Sequence, residues 1–275
     1  MASPSIDELL ARLDAEKRRI DAARPLPPAT LQSLQADFVV RYAHETTALE
    51  GNTLDIYETK VVLEDGITIG GKTVREHLEV LNIRAALAWL ESAAAARTPI
   101  TVDAIQEMHR LVMRGILREE AGRYRRVPVY IHGAFHVPPN WIKVPDLMRA
   151  FGERLQNAAD DHPVRAAAVA HIELVRIHPF IDGNGRTARL LTNLLLMRAG
   201  YPPALYITDQ RRDYMQALDT ATFRGDPEPF IRITIQAVDR MADRYLEMIR
   251  RIEEGRRQAP TVSETRHPRT DEAER

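Results

Sequence analysis

His178, Asp182, Arg186 and Arg189 stand within twelve consecutive residues, His178-Pro179-Phe180-Ile181-Asp182-Gly183-Asn184-Gly185-Arg186-Thr187-Ala188-Arg189. Their types suit chemistry on a phosphate. Gly183 and Gly185 flank Asn184, and glycine permits positive φ and close approach of an anion to the backbone. Successive N–H groups there can form a nest, extended by the free N–H groups and positive dipole end of a following helix. Thr187 and Ala188 continue that first turn, with Arg186 and Arg189 three apart on one face of it. Two cations repel each other and the dipole at that end; an oligophosphate resolves the conflict. Asp182 offers one hard oxygen, suited to a magnesium ion that keeps most of its waters. His178 can exchange a proton near neutral pH. The Gly-x4-Gly-Lys-Ser/Thr spacing of a P-loop is absent.

Such a loop needs rigid supports. Residues 163–177 and 185–198 read as apolar helices on either side of it, the second stopped by Gly200 and Pro202-Pro203. Apolar periodicity predicts further helices over 5–20, from Thr30 onward, 55–64 with Asp55 as N-cap, 73–96, 101–113, 145–157, 211–223 and 227–251. Tyr124 to Pro139 differs: it is β-branched and aromatic around Gly133, which predicts a β-hairpin, with Pro128, Pro138 and Pro139 keeping it outside any central sheet. The expected fold is all-α, a helical bundle with a small β-hairpin. The expected organisation is a helical region over 1–100, a core over 101–236, a helix over 237–252 and a disordered polar tail over 253–275.

Composition narrows the function. The 275 residues are 44% hydrophobic and 28% charged, which supports a large buried core. A net charge of −1 gives no general attraction to nucleic acid or anionic membrane. With no cysteine, disulfides, zinc-thiolate sites and a cysteine nucleophile are excluded. Nothing reads as a signal peptide or a membrane span, so the cytoplasm is the expected location.

The twelve-residue segment resembles the signature of the Fic/Doc (Fido) family, His-x-Phe-x-(Asp/Glu)-Gly-Asn-Gly-Arg-x-x-Arg, at every defined position. The resemblance extends over roughly residues 38–236. It implies a Fic-type helical bundle and transfer of AMP from ATP-Mg to a Ser, Thr or Tyr hydroxyl of a target protein. It also implies roles: His178 as the base, Asp182 as the Mg2+ ligand, Gly183, Asn184 and Gly185 as the α-phosphate anion hole, and Arg186 and Arg189 as clamps on the β- and γ-phosphates. Ile131, His132, Gly133 and Ala134 resemble the flap that registers the target by strand pairing. Tyr214 lies where the family often stacks the adenine, beside a less typical Met215.

Thr46-Thr47-Ala48-Leu49-Glu50-Gly51-Asn52 resembles the family's inhibitory pattern, Ser/Thr-x-x-x-Glu-Gly/Asn, here in a helix expected over about 43–52. Thr46 and Glu50 would share a face, Gly51 would end the helix, and the resemblance implies an ion pair between Glu50 and Arg189 that blocks the γ-phosphate clamp. Other readings stay open. Some relatives remove AMP, with Glu50 positioning water. A nucleotide-sensing module would bind without transfer. A DNA-binding regulator finds no support in the short polar segment 240–275 or the neutral charge. The N-terminal helices could form a homodimer surface or pack on the core.

Overall fold

Three helices begin at reciprocal caps written locally in the sequence: Ser5 with Glu8, Asp55 with Glu58, and Thr73 with Glu76 each exchange side-chain and backbone bonds across the first turn. They start α1 (Ile6–Ala22), α3 (Ile56–Glu64) and α4 (Val74–Ala96). Between them, α2 (Pro28–Ala48) opens with proline in its first turn, where the missing N–H costs nothing. Then follow α5 (Val102–Val112), α6 (Val144–Asn157), α7 (Pro163–Ile177), α8 (Asn184–Arg198), α9 (Arg211–Asp219), which runs into a π turn over Thr220–Arg224, and α10 (Glu228–Gln258). This is a computed structural model, and it describes residues 4–97, 99–131, 133–157 and 161–258. No helix among them is long and apolar enough to cross a membrane.

The α7–α8 pair forms the centre, with α4 and α5 packed on α8 and α10 on α7. α1 lies along α10, and α2 packs on α3 and α4. Both central helices are buried nearly all round: Val164, Ala167, Ala168, Leu174, Leu190, Leu191 and Leu194 are all inaccessible. The polar residues inside this core are satisfied locally. Thr192 donates to the Ala188 carbonyl at 2.9 Å. Asn193 takes the Ala204 N–H at 2.7 Å and donates to the Ala204 carbonyl at 3.2 Å, pinning the segment after α8 back onto the helix.

Four expectations change. The β-hairpin over 124–139 is not a strand pair among the described residues. Among the described residues, the one backbone bond across its tip runs from the Ala134 N–H to the Ile131 carbonyl at 3.2 Å, around Gly133 at φ 76. Prolines 128, 138 and 139 bring no N–H to a ladder, so the segment is an extended loop ending in a turn. His132 lies outside the described residues. The helix expected over about 43–52 stops at Ala48: the N–H of Asn52 turns back to the Thr47 carbonyl, and Gly51 takes φ 99. The helix expected over 211–223 is α9 followed by the π turn. The disordered tail expected from 253 is helical over its first residues, because α10 continues to Gln258; the rest of it, residues 259–275, lies outside the described residues.

Asn193→Ala should destabilise the protein by roughly 2–3 kcal/mol, since it leaves a buried N–H and a buried carbonyl unpaired. Urea denaturation at pH 7.5 checks this; an unchanged midpoint would mean that the Ala204 segment is held by other contacts.

Candidate active site

The loop between α7 and α8 is built around its own backbone. Asn184, buried, accepts from the Phe180 N–H at 3.0 Å and donates to the Phe180 carbonyl at 2.9 Å. Its side chain therefore closes the loop, leaving its main chain to contribute to any anion nest. Phe180 stacks flat on His109, with ring centroids 3.7 Å apart and planes 3° from parallel. His109 accepts from the Gly122 N–H at Nδ1 (2.9 Å), so Nε2 carries the proton and donates to the Asp182 carbonyl at 2.9 Å. Gly183 takes φ 77 as the N-cap of α8, and a side chain there would meet Met113 Sδ at 2.8 Å. Thr187 and Ala188 are fully buried, Thr187 donating to the Gly183 carbonyl at 2.9 Å. They anchor the turn.

His178 ends α7 in the left-handed conformation, φ 49 and ψ 60. Its Nδ1 faces the Val175 carbonyl at 3.3 Å, which fixes the proton there and leaves Nε2 as an acceptor. Burial pushes the imidazole down to about 4, against the Val175 carbonyl and with Arg125 assisting, so it is neutral at physiological pH. Behind it, Arg125 is buried and donates to the carbonyls of His178 (2.8 Å), Val127 (3.2 Å) and Pro139 (2.6 Å), while its own N–H reaches the Pro179 carbonyl at 2.8 Å. One guanidinium thus ties both ends of the 126–139 loop to the motif.

Asp182 accepts from the Gly183 N–H at 2.6 Å and Arg186 Nη2 at 3.2 Å on Oδ1, and from Arg75 Nη2 at 2.5 Å on Oδ2. Burial opposes its charge, but Arg186 and Arg75 outweigh that and hold its pKa below the usual carboxylate range. Arg186, almost inaccessible, also approaches Glu79 Oε1 at 3.0 Å, outside hydrogen-bond geometry, and its Nε and Nη1 lack hydrogen-bond partners.

Arg189 is the most completely coordinated group of the site. Its Nε donates to Thr46 Oγ1 at 2.7 Å, and Nη2 to the Thr46 carbonyl at 2.9 Å and Glu50 Oε1 at 2.7 Å. Nη1 donates to the Tyr214 hydroxyl at 3.1 Å. Burial works against its charge, but the Tyr214 and Glu50 oxygens outweigh it and the pKa is raised. Glu50 lies against Gly185 so closely that a Cβ there would collide with Oε1; the glycine makes room for the carboxylate. The turn carrying Glu50 is tethered on three sides. Glu45 accepts from the N–H and hydroxyl of Thr208, both at 2.6 Å. Arg211 donates to the Leu49 carbonyl at 3.0 Å, and Asn52 to Glu79 Oε2 at 2.9 Å and the Glu76 carbonyl at 3.0 Å.

These groups border a cleft of about 450 Å³ lined by Glu50, Gly185, Arg189 and His178, by Ile131, Gly133 and Ala134 of the loop, and by Arg212, Tyr214 and Met215 of α9. The loop tip crosses to the far wall, where the Phe135 N–H donates to Asp219 at 2.9 Å and its ring lies 6.0 Å from Phe223. Tyr214 is 2% exposed, its hydroxyl turned inward to Arg189 and His171. Among the described residues no three His, Asp or Glu side chains converge to hold a metal. Asp182 alone fits a magnesium ion that takes its remaining ligands from phosphate and water.

The sequence brings His178, Asp182, Arg186, Arg189, Thr46 and Glu50 into view. It misses Arg75, Glu79, His109, Arg125 and His171, whose partners are distant in the chain. His171 alone carries a local sign, a lone imidazole inside the apolar run of α7.

A family profile described as Fic/DOC family matches residues 99–196. The chain is 38% identical over 245 residues to "Protein adenylyltransferase Fic" of Drosophila ananassae, an alignment covering 88% of this chain and 48% of the relative. Among solved structures, a fragment of Fic-1 from C. elegans superposes with a TM-score of 0.82 at 32% identity, over 90% of this chain and 73% of that one. A Fic family protein from Desulfovibrio desulfuricans G20 gives 0.69 at 27%, over 94% and 77%. The chain belongs to the Fic/DOC family. It spans about half the length of the curated relatives it matches.

Burial pushes His109 and His178 down to about 4, and His171, with Arg189 beside it, well below the ordinary range. The unfolded chain therefore binds more protons than the native state between about pH 4 and the unfolded histidine value near 6.5. Stability should be fully present above that value and fall as pH drops through this window, by up to about 1.4 kcal/mol per histidine per pH unit. Urea midpoints at pH 7.5, 6 and 5 measure it; a midpoint that stays flat down to pH 5 would show that these imidazoles can protonate without unfolding.

Proposed function

We propose that this protein transfers AMP from ATP to a hydroxyl of a target protein, held in check by Glu50. The observation that carries this reading is the convergence on one cleft of a neutral imidazole with a free Nε2, a helix N-terminus without a side-chain cap, and an arginine engaged by a carboxylate from another helix end. The attacking hydroxyl gives its proton to His178 Nε2 as its oxygen bonds to the α-phosphorus. The bond from that phosphorus to the oxygen bridging to the β-phosphate breaks, and pyrophosphate leaves. Backbone N–H groups from Gly183 to Gly185 stabilise the charge that develops on the α-phosphate oxygens. Arg186 and Arg189 take the β- and γ-phosphates. Asp182 is the residue that would hold magnesium, which neutralises phosphate charge when bound; Arg75 occupies its Oδ2 otherwise. Adenine falls to the wall of Met215, Leu218 and the loop tip, since the Tyr214 hydroxyl points away from the cleft. The cytoplasm is the proposed location.

With Glu50 seated, Nη2 of Arg189 is spent on protein oxygens and the carboxylate fills the space beside Gly185. The same carboxylate supports a second reading. Its Oε2 has no hydrogen bond among the described residues, and Glu50 shares the cleft with His178. It would take a proton from a water whose oxygen bonds to the phosphorus of an AMP-modified target, while the bond from that phosphorus to the target oxygen breaks and the minor protonated fraction of His178 supplies the proton to that oxygen.

Two outcomes follow from Mg2+ and α-labelled ATP. Glu50→Gly should raise labelling of the protein itself and of added target about 10- to 100-fold, the range for one hydrogen bond to a charged group. Equal labelling by wild type and variant would sink the inhibitory reading. Adding His178→Ala to Glu50→Gly should lower transfer by a factor of about 10²–10⁴ with nucleotide binding nearly intact; labelling that persists at the parent rate removes His178 from the chemistry. Mass spectrometry of the modified peptide names the group transferred, and incubation with AMP-modified target tests the reverse reaction.

A further inference from the structure

The four partners of Arg189 are of two kinds. Three come from the Thr46–Glu50 end of α2 and hold the edge formed by Nε and Nη2. The fourth, the Tyr214 hydroxyl on α9, is the one hydrogen-bond partner of Nη1 among the described residues. Nη1 is also the nitrogen that faces the start of α8: a Cβ built on Gly185 would lie 3.2 Å from it. Tyr214 therefore holds the nitrogen that faces Gly185 and the proposed phosphate position, while the inhibitory residues hold the other edge of the guanidinium.

Tyr214 is itself held by a chain whose proton positions are all determined. Thr192 Oγ1 spends its proton on the Ala188 carbonyl, so it accepts from His171 Nδ1 at 3.1 Å. With Nδ1 protonated, His171 Nε2 is an acceptor, and it takes the Tyr214 hydroxyl proton at 2.9 Å. The phenolic oxygen then presents its lone pairs to Arg189 Nη1. The chain runs from Arg189 through Tyr214, His171 and Thr192 to the backbone of α8 itself, and every member is 2% exposed or less. It lies within an aromatic cluster: His171 is 4.7 Å from Phe230 and 5.7 Å from Tyr206, ring centre to ring centre. Both nitrogens of the buried imidazole are engaged, which keeps its acceptor on Tyr214.

We propose that His171 and Tyr214 are positioning residues for Arg189, setting the direction of Nη1 toward the terminal phosphates of the nucleotide. The proposal rests on the reading of Arg189 as a phosphate clamp. It gives Tyr214 a different task from contact with the base. It also divides labour around the guanidinium: Thr46 and Glu50 decide whether Nη2 is available, and Tyr214 decides where Nη1 points.

The test uses the Glu50→Gly protein, with ATP and AMP affinities measured by calorimetry. Tyr214→Phe keeps the ring and its packing and removes only the hydroxyl. It should weaken ATP about 10- to 100-fold, the worth of one hydrogen bond to a charged group, and leave AMP unchanged. His171→Phe, which keeps an aromatic ring in the cluster, should shift the ATP-to-AMP ratio the same way. In an Arg189→Ala background, Tyr214→Phe should have no further effect on that ratio, because the pair acts through one guanidinium. Equal loss of ATP and AMP binding, or a Tyr214→Phe effect that persists without Arg189, overturns the proposal and leaves the clamp reading standing. If Arg189→Ala itself does not change the ratio, the clamp reading falls and the proposal with it.

Discussion

A guanidinium cannot shed its charge in a protein, so a buried arginine must be met by oxygens or it expels itself from the core. Arg189 is buried between α2, α8 and α9, and the surroundings are arranged around that demand. Two of its oxygens come from a threonine, one from a tyrosine and one from a carboxylate. Only the last carries a full charge, and it stands at the edge of the cleft with a side chain still 30% accessible. The site thus keeps a cation permanently and an anion provisionally. In the proposed function a phosphate takes the place of the carboxylate with little change in the electrostatics of the core, so that one pocket would serve both as a closed ion pair and as a place for nucleotide.

The second arginine of the motif is treated differently. Arg186 stands between Asp182 and Glu79, with Arg75 joining the same carboxylates from α4. Glu79 in turn accepts from Asn52, two residues beyond Glu50. The turn carrying Glu50 and the loop between α7 and α8 therefore share a charge cluster as well as the direct Glu50–Arg189 contact, and α4 connects them. Across the cleft, Arg125 replaces a strand ladder as the root of the 126–139 loop by gathering three carbonyls at once. That loop is fixed at its base and, among the described residues, reaches the opposite wall through Phe135.

The parts of this architecture that are legible in sequence are those whose cause is local. The Asp55 cap, the stop after Arg198 and the glycine-flanked Asn184 all act within a few residues, and each appears where the spacing puts it. The pattern Thr46 to Gly51 is readable too, although its helix ends earlier than expected because the Asn52 N–H folds back onto Thr47. The hairpin misled for a physical reason: β-branched and aromatic residues report a half-buried surface, and prolines 128, 138 and 139 leave too few donors to pair it. Arg125, His109 and His171 stayed hidden because their meaning comes from partners tens of residues away, on helices whose packing no local pattern encodes.

The three tethers on the turn after α2 have a mechanical consequence. Glu45 on Thr208, Arg211 on the Leu49 carbonyl and Asn52 on α4 keep the main chain of that turn in place. Glu50 can still withdraw by rotating about its own side-chain torsions, a motion of picoseconds to nanoseconds for an accessible group. Thr46, fastened through its backbone carbonyl as well as its hydroxyl, cannot leave that way. Under the proposed function, inhibition by Glu50 is therefore a throttle that flickers on a fixed mount, and its setting is the fraction of time one carboxylate spends turned aside.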